Sequence, residues 1–176
     1  GLWGRSMGAV TALLYADRDP SIAAIILDSP FADLKILINE LAKQYSKVPS
    51  ILVSGATKLI RKTIKGKANF DIYNLAPINH VDKAFIPALF AAANQDDFIQ
   101  PHHCQDLYAK YAGDKTITKF DGDHNSPRPE FFMDSATIFL YSRMQCDVLL
   151  TEESKRPKRE KKVGVMDQED DQNFLQ

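Results

Sequence analysis

Gly4-Arg5-Ser6-Met7-Gly8 sets a serine between two glycines, each two residues away. That spacing suits a nucleophile held on a tight strand-to-helix turn, where strained backbone angles lift the hydroxyl above a sheet. Side chains at positions 4 and 8 are expected to collide with each other and with a neighbouring strand, so glycine takes both. The same turn aims the Met7 N–H at a developing oxyanion and sets a helix N-terminus beneath it. Alone the pattern is weak, since chance supplies one in a chain this long with a probability on the order of 5%. A serine hydroxyl also needs a base, and the base needs an acid to hold its tautomer. Asn94-Gln95-Asp96-Asp97-Phe98-Ile99 offers two acids, and Phe120-Asp121-Gly122-Asp123-His124-Asn125 offers an imidazole. Asp96 is preferred to Asp97, because it stands midway between the strand-ending Ala93 and the loop-anchoring Ile99. Three residue types in this order, each after its own strand, form a far stronger signal than any one of them.

The elements that must position these groups are legible in the hydrophobic pattern. Ala9–Ala16 reads as a short helix that Asp17-Arg18-Asp19-Pro20 ends. Ile22–Leu27 and Ile86–Ala93 are continuous apolar runs, the signature of strands covered on both faces, and Thr116–Phe120 is a short β-branched strand. Asp33–Tyr45 keeps apolar residues at a spacing of three and four, with Asp33 as N-cap. Beyond Pro49 a second amphipathic stretch sets Leu52, Val53, Ala56, Leu59, Ile60 and Ile64 opposite Lys58, Arg61, Lys62 and Lys65, a pattern that predicts a solvated basic face. Helices are predicted over Pro101–Ala112 and Pro129–Met144. Strands alternating with helices imply βαβ units and a parallel sheet, so the fold class is α/β.

Gly4-Arg5-Ser6-Met7-Gly8, Leu27-Asp28-Ser29-Pro30-Phe31, Gln95-Asp96-Asp97-Phe98-Ile99 and Gly122-Asp123-His124-Asn125 together resemble the α/β-hydrolase superfamily, in particular eukaryotic serine-aminopeptidase-like hydrolases. The resemblance spans roughly Gly1 to Arg143 and starts at the nucleophile elbow. It implies the C-terminal half of that fold over 1–146, with 32–67 as a helical cap or excursion. It also implies Ser6, Asp96 and His124 as a catalytic triad and the Met7 N–H as one oxyanion donor. The second donor is expected from an upstream loop, and the upstream half of the same fold is an expected partner; without it this chain is expected to be poorly soluble. The family often has glycine where Ala93 stands, which keeps Asp97 open as the acid. Some relatives take their acid from the position of Asp28, whose other reading is a cap on the turn at Pro30.

The remaining candidates carry less. His102 and His103 open a helix and read as surface or pocket-rim residues; His80 is uninformative, Arg5 fills a variable elbow position, and Cys104 reads as structural. Neither Cys104 nor Cys146 has metal-ligand spacing or a disulfide framework, which suits a reducing, cytoplasmic setting. The chemistry calls for no metal or organic cofactor, only a small acyl or peptide substrate. A chain of 176 residues with 44% hydrophobic and 26% charged residues has material for one core. Its net charge of −1 gives no field for nucleic acid, and no apolar run approaches the ~20 residues of a membrane span. Residues 151–176 carry a basic run and then an acidic one, and are expected to be a disordered tail. The rival reading is a non-catalytic hydrolase-fold scaffold that works through this tail.

Overall fold

The computed structural model describes residues 1–45 and 50–148. The charged tail expected over 151–176 lies outside the described residues. Gly1–Cys146 forms one compact unit. In chain order it holds β1 (Leu2–Arg5), α1 (Met7–Ala16), β2 (Ile25–Asp28), α2 (Leu34–Tyr45), α3 (Ser50–Ala68), three short 3-10 turns between Ile72 and Lys83, β3 (Ala88–Ala93), α4 (Pro101–Lys110), β4 (Lys115–Phe120) and α5 (Glu130–Arg143).

The four strands form one parallel sheet in the order β1-β2-β3-β4. Arg5, Asp28, Ala91 and Thr118 lie abreast in its register. The loops that follow the strands therefore all fall along one edge. Every residue of β2 and β3 is buried, as their unbroken apolar runs require. Successive side chains alternate between faces. Ile25, Leu27, Ala88 and Phe90 pack with Ala9 and Leu13 of α1 and Leu107 of α4. Ile26, Leu89 and Ala91 face the other way, onto Phe132 and Ala136 of α5. The sheet is thus flanked by helices on both faces, the α/β architecture expected from the sequence.

Several expectations need adjustment. The strand predicted over Ile22–Leu27 begins only at Ile25, and the one predicted over Ile86–Ala93 begins at Ala88. Pro87 precedes β3, where its missing N–H costs no ladder bond. Asp33 caps α2 as expected, its Oδ1 accepting from Lys35 N at 2.7 Å and Ile36 N at 3.1 Å. On the apolar side of α3, Val53 and Ile64 are half-buried, while Leu59 is 68% exposed and Ile60 53%. The helix is also held by polar contacts. Arg61 donates to both carboxylate oxygens of Asp71 and lies over the Tyr73 ring at 4.4 Å, and those hydrogen bonds hold the Asp71 carboxyl down at about 2. No described helix is long and apolar enough to cross a membrane.

Candidate active site

Ser6 stands between the end of β1 and the first residue of α1, with φ 55° and ψ −120°. For a non-glycine residue such angles cost about 1–3 kcal/mol, a cost that persists only where the surroundings hold it in place. Two backbone bonds do so here: Ser6 N donates to Asp28 O at 2.8 Å, and Ser6 O accepts from Val10 N at 3.2 Å. Gly4 is required, since a Cβ built on it would lie 2.1 Å from Gly8 O and 2.2 Å from Gly8 C. The expected collision at Gly8 does not occur, because a Cβ there meets nothing within 4 Å. The crowding is one-sided: position 4 points into the helix backbone, while position 8 points away from β1. Met7 opens α1, so its N–H is among the four amides a helix leaves without an internal partner.

Asp96 follows β3 and is almost fully buried. Its Oδ1 accepts from Phe98 N at 3.0 Å and Ile99 N at 2.7 Å, which leaves Oδ2 to meet His124 Nδ1 at 2.7 Å. With two amides on one oxygen, the carboxylate can turn neither its plane nor its partner. Asp97 points elsewhere and accepts from the Tyr45 hydroxyl at 3.0 Å. Of the two adjacent acids, Asp96 is the one the structure pairs with the histidine.

The loop that carries His124 is tied to the loop that carries Asp96. Asn94 N donates to Phe120 O at 2.8 Å, Gln95 N to Gly122 O at 3.0 Å, and Asn94 Nδ2 to Asp121 Oδ1 at 2.9 Å. Gly122 has φ 126°, a backbone state that L side chains rarely adopt, and it turns the chain toward His124. Asp123 then braces the turn, its Oδ1 accepting from Asn125 N at 2.8 Å and Ser126 N at 2.7 Å. The Ser126 hydroxyl and these amides hold the Asp123 carboxyl below its ordinary value. The Phe98 ring lies 5.2 Å from the imidazole. Among the described residues the Ser6 hydroxyl and His124 Nε2 are not hydrogen-bonded, to each other or to another group. The structure thus brings Asp96 and His124 into contact, and stands Ser6 on the same sheet edge.

Other candidates fall into place as structural ties. Asp28 neither meets a histidine nor caps the turn at Pro30. Its two carboxylate oxygens accept from Arg128 Nε and Nη2, both at 2.9 Å. Arg128 was not singled out in the sequence, where nothing periodic marks it. The available signal was Asp28 itself, an acid ending an apolar strand, which burial obliges to find a cation. Arg5 approaches Asp28 at 3.9 Å, and His80 pairs with Asp17 at 3.3 Å.

His103 is 1% exposed, not a rim residue as its place at a helix start suggested. Glu40, His102 and His103 bring their ligand atoms within 4.8 Å of one another, a grouping that could hold a metal ion. The hydrogen bonds argue for a different use. Ala32 N donates to His103 Nδ1 at 3.3 Å, so the proton sits on Nε2, which donates to Glu40 Oε2 at 2.9 Å. Both ring nitrogens are engaged in a neutral imidazole, and burial pushes His103 down in the same sense. The group ties α2 to α4.

Cys104 is buried, donates to Ala91 O at 3.4 Å, and has its thiol pushed up to about 12 by burial. It is no nucleophile at neutral pH. Iodoacetamide applied to the native protein is expected to modify Cys146 and spare Cys104, as read by peptide mass spectrometry. Equal modification of both would refute the buried placement.

Comparison with known proteins agrees with this architecture. Residues 3–171 match the family model described as PhoPQ-activated pathogenicity-related protein. The uncharacterized protein YqkD of Bacillus subtilis (strain 168) is 35% identical over 120 residues, 66% of this chain. This chain spans 38% of the length of that curated relative. Among solved structures, an esterase of Pyrococcus furiosus superposes with a TM-score of 0.58 at 19% identity, covering 80% of this chain and 52% of its own. The monoacylglycerol lipase of Paleococcus ferrophilus gives 0.59 at 20% identity, covering 81% and 68%. Acetyl xylan esterase from Paenibacillus sp. R4 gives 0.57 at 18%, covering 79% and 43%. What is shared at such identities is the fold, that of the α/β-hydrolase superfamily.

Proposed function

We propose that this chain, which belongs to the family of PhoPQ-activated pathogenicity-related proteins, carries the nucleophile, acid and base of a serine hydrolase that cleaves an ester, thioester or amide. The observation that carries the reading is the 2.7 Å bond from His124 Nδ1 to a buried Asp96 oxygen, on the edge where Ser6 stands in a strained elbow. In this reading Ser6 Oγ attacks the substrate carbonyl while His124 Nε2 takes its proton. Asp96 holds the proton on Nδ1 and stabilises the imidazolium that forms. The Met7 N–H, at the positive end of α1, binds the oxyanion. Proton return from Nε2 expels the leaving group, and a water deprotonated by the same nitrogen then releases the acyl group from Ser6.

Esterase and lipase neighbours support an ester substrate, and the acylaminoacyl peptidase of Pyrococcus horikoshii, which superposes with a TM-score of 0.51, keeps an amide in the set. The resemblance to serine-aminopeptidase-like hydrolases points the same way. The test is labelling of the complete protein with a fluorophosphonate, followed by peptide mapping. The expected result is a single adduct on Ser6, lost in Ser6→Ala. A folded protein that takes no label would replace this reading with the non-catalytic scaffold.

A further inference from the structure

Arg128 lies four residues beyond His124, just before α5, and its guanidinium reaches six acceptors. On one side it grips both oxygens of Asp28. On the other, Nη1 donates to Ser126 O at 3.1 Å and Asp123 O at 3.3 Å, and Nη2 reaches His124 O at 3.5 Å. The pair is enclosed, with the Arg128 side chain 7% exposed and that of Asp28 3%. Asp28 is also the residue whose backbone oxygen holds the Ser6 amide. One residue is therefore bonded through its backbone to the nucleophile and through its side chain to the arginine that binds the histidine loop.

That connection answers a problem of distance. Two strands separate β1 from β4, and neighbouring strands lie ~4.8 Å apart, so the strand ends that precede Ser6 and His124 are roughly 14 Å apart. The loop after β4 must lean back across the sheet. Asp96 supports it above β3, and Arg128 ties it down above β2. We infer that Asp28 and Arg128 are positioning residues that set the reach from His124 to Ser6. The inference rests on the Ser6–His124–Asp96 reading; neither residue is assigned to the substrate.

Removing one partner of a buried ion pair leaves a bare charge and confuses positioning with stability, whereas removing both charges avoids that penalty. The decisive variant is thus Asp28→Asn with Arg128→Gln, made in the complete protein beside Arg128→Lys and Ser6→Ala. Each is assayed for melting temperature, fluorophosphonate labelling rate, and kcat and KM on p-nitrophenyl acetate. The doubly neutral variant is expected to melt close to the wild type, yet to lose about 10²-fold in labelling rate and kcat, with KM within about twofold. Arg128→Lys keeps the charge but offers a single point contact in place of a fork, so its kcat is expected to lie between the two. The inference is overturned if the doubly neutral variant, or a folded Arg128→Lys, labels and turns over at the wild-type rate. It is equally overturned if activity falls only in step with the unfolded fraction. A wild type whose labelling matches Ser6→Ala would instead bring down the underlying triad reading, an outcome the Ser6→Ala control separates from the others.

Discussion

Asp96→Asn is expected to cost about 10⁴-fold in kcat, while Asp97→Asn stays within a few-fold of the wild type. The contrast follows from the hydrogen bonds around the two acids. The amides of Phe98 and Ile99 both donate to Asp96 Oδ1, so an asparagine must place its carbonyl oxygen there. Its NH2 group is then forced against His124 Nδ1, where the carboxylate oxygen now accepts. Two donors cannot share that contact, so the ring proton moves to Nε2, the nitrogen that receives the serine proton in the proposed mechanism. Chain packing is little changed, but the imidazole is switched to the tautomer that cannot act as the proposed base. Asp97 offers no such lever, since its partner is the Tyr45 hydroxyl on an exposed face. Steady-state kinetics of both variants, with His124→Ala as the limit, measure the difference. His124→Ala combined with Ser6→Ala should be no worse than either alone, because in the proposed mechanism the groups act as one unit. Equal losses at 96 and 97 would remove Asp96 from its assigned role.

Gly4→Ala is expected to be the most damaging glycine-to-alanine change among the described residues. The added carbon would sit 2.1 Å from Gly8 O and 2.5 Å from Ala9 N, and both are backbone atoms of the first helical turn that cannot swing aside. Relief would require α1 to shift off the sheet, breaking the Ser6 N bond to Asp28 O that holds the elbow closed. A cost of about 4–5 kcal/mol is expected, a large fraction of the stability of an ordinary domain. At this size it lowers Tm by roughly 10–20 °C. Gly8→Ala makes the opposite case, because its new methyl enters open space among the described residues and alanine is the better helix former. Its melting temperature should be unchanged or slightly raised. Thermal unfolding of the two variants side by side checks the pair, and comparable losses would show the crowding to be symmetric after all.

How much was legible in the sequence depended on whether the cause was local. Ser6, Asp96 and His124 could be nominated because each follows its own strand, and a buried parallel strand announces itself as an unbroken apolar run such as Ala88–Ala93. The helix start at Asp33 was readable for the same reason, since capping joins residues two and three apart. The ranking of Asp96 over Asp97 rested on loop spacing alone. Only the folded loop supplies a cause, with one acid turned inward by two amides and its neighbour turned out to a tyrosine.

What the sequence left open, or misread, turned on partners distant in the chain. The apolar side of α3 obeys helical periodicity, yet periodicity cannot say whether a second surface arrives to cover it, and here Leu59 and Ile60 stay exposed. His103 looked like a rim residue until α2 brought Glu40 across 63 positions to meet it. Asp28 and Arg128 are a hundred residues apart, and no pattern in the intervening chain pairs them. The sequence by itself determined the strand-and-helix alternation, the strained elbow and the order in which Ser6, Asp96 and His124 follow their strands, because backbone sterics and burial act over a few residues. The tertiary structure alone decided which acid meets the histidine and what holds its loop across the sheet. Those choices are made by directional hydrogen bonds and buried charges, whose partners exist only once the parallel strands have set four distant segments side by side.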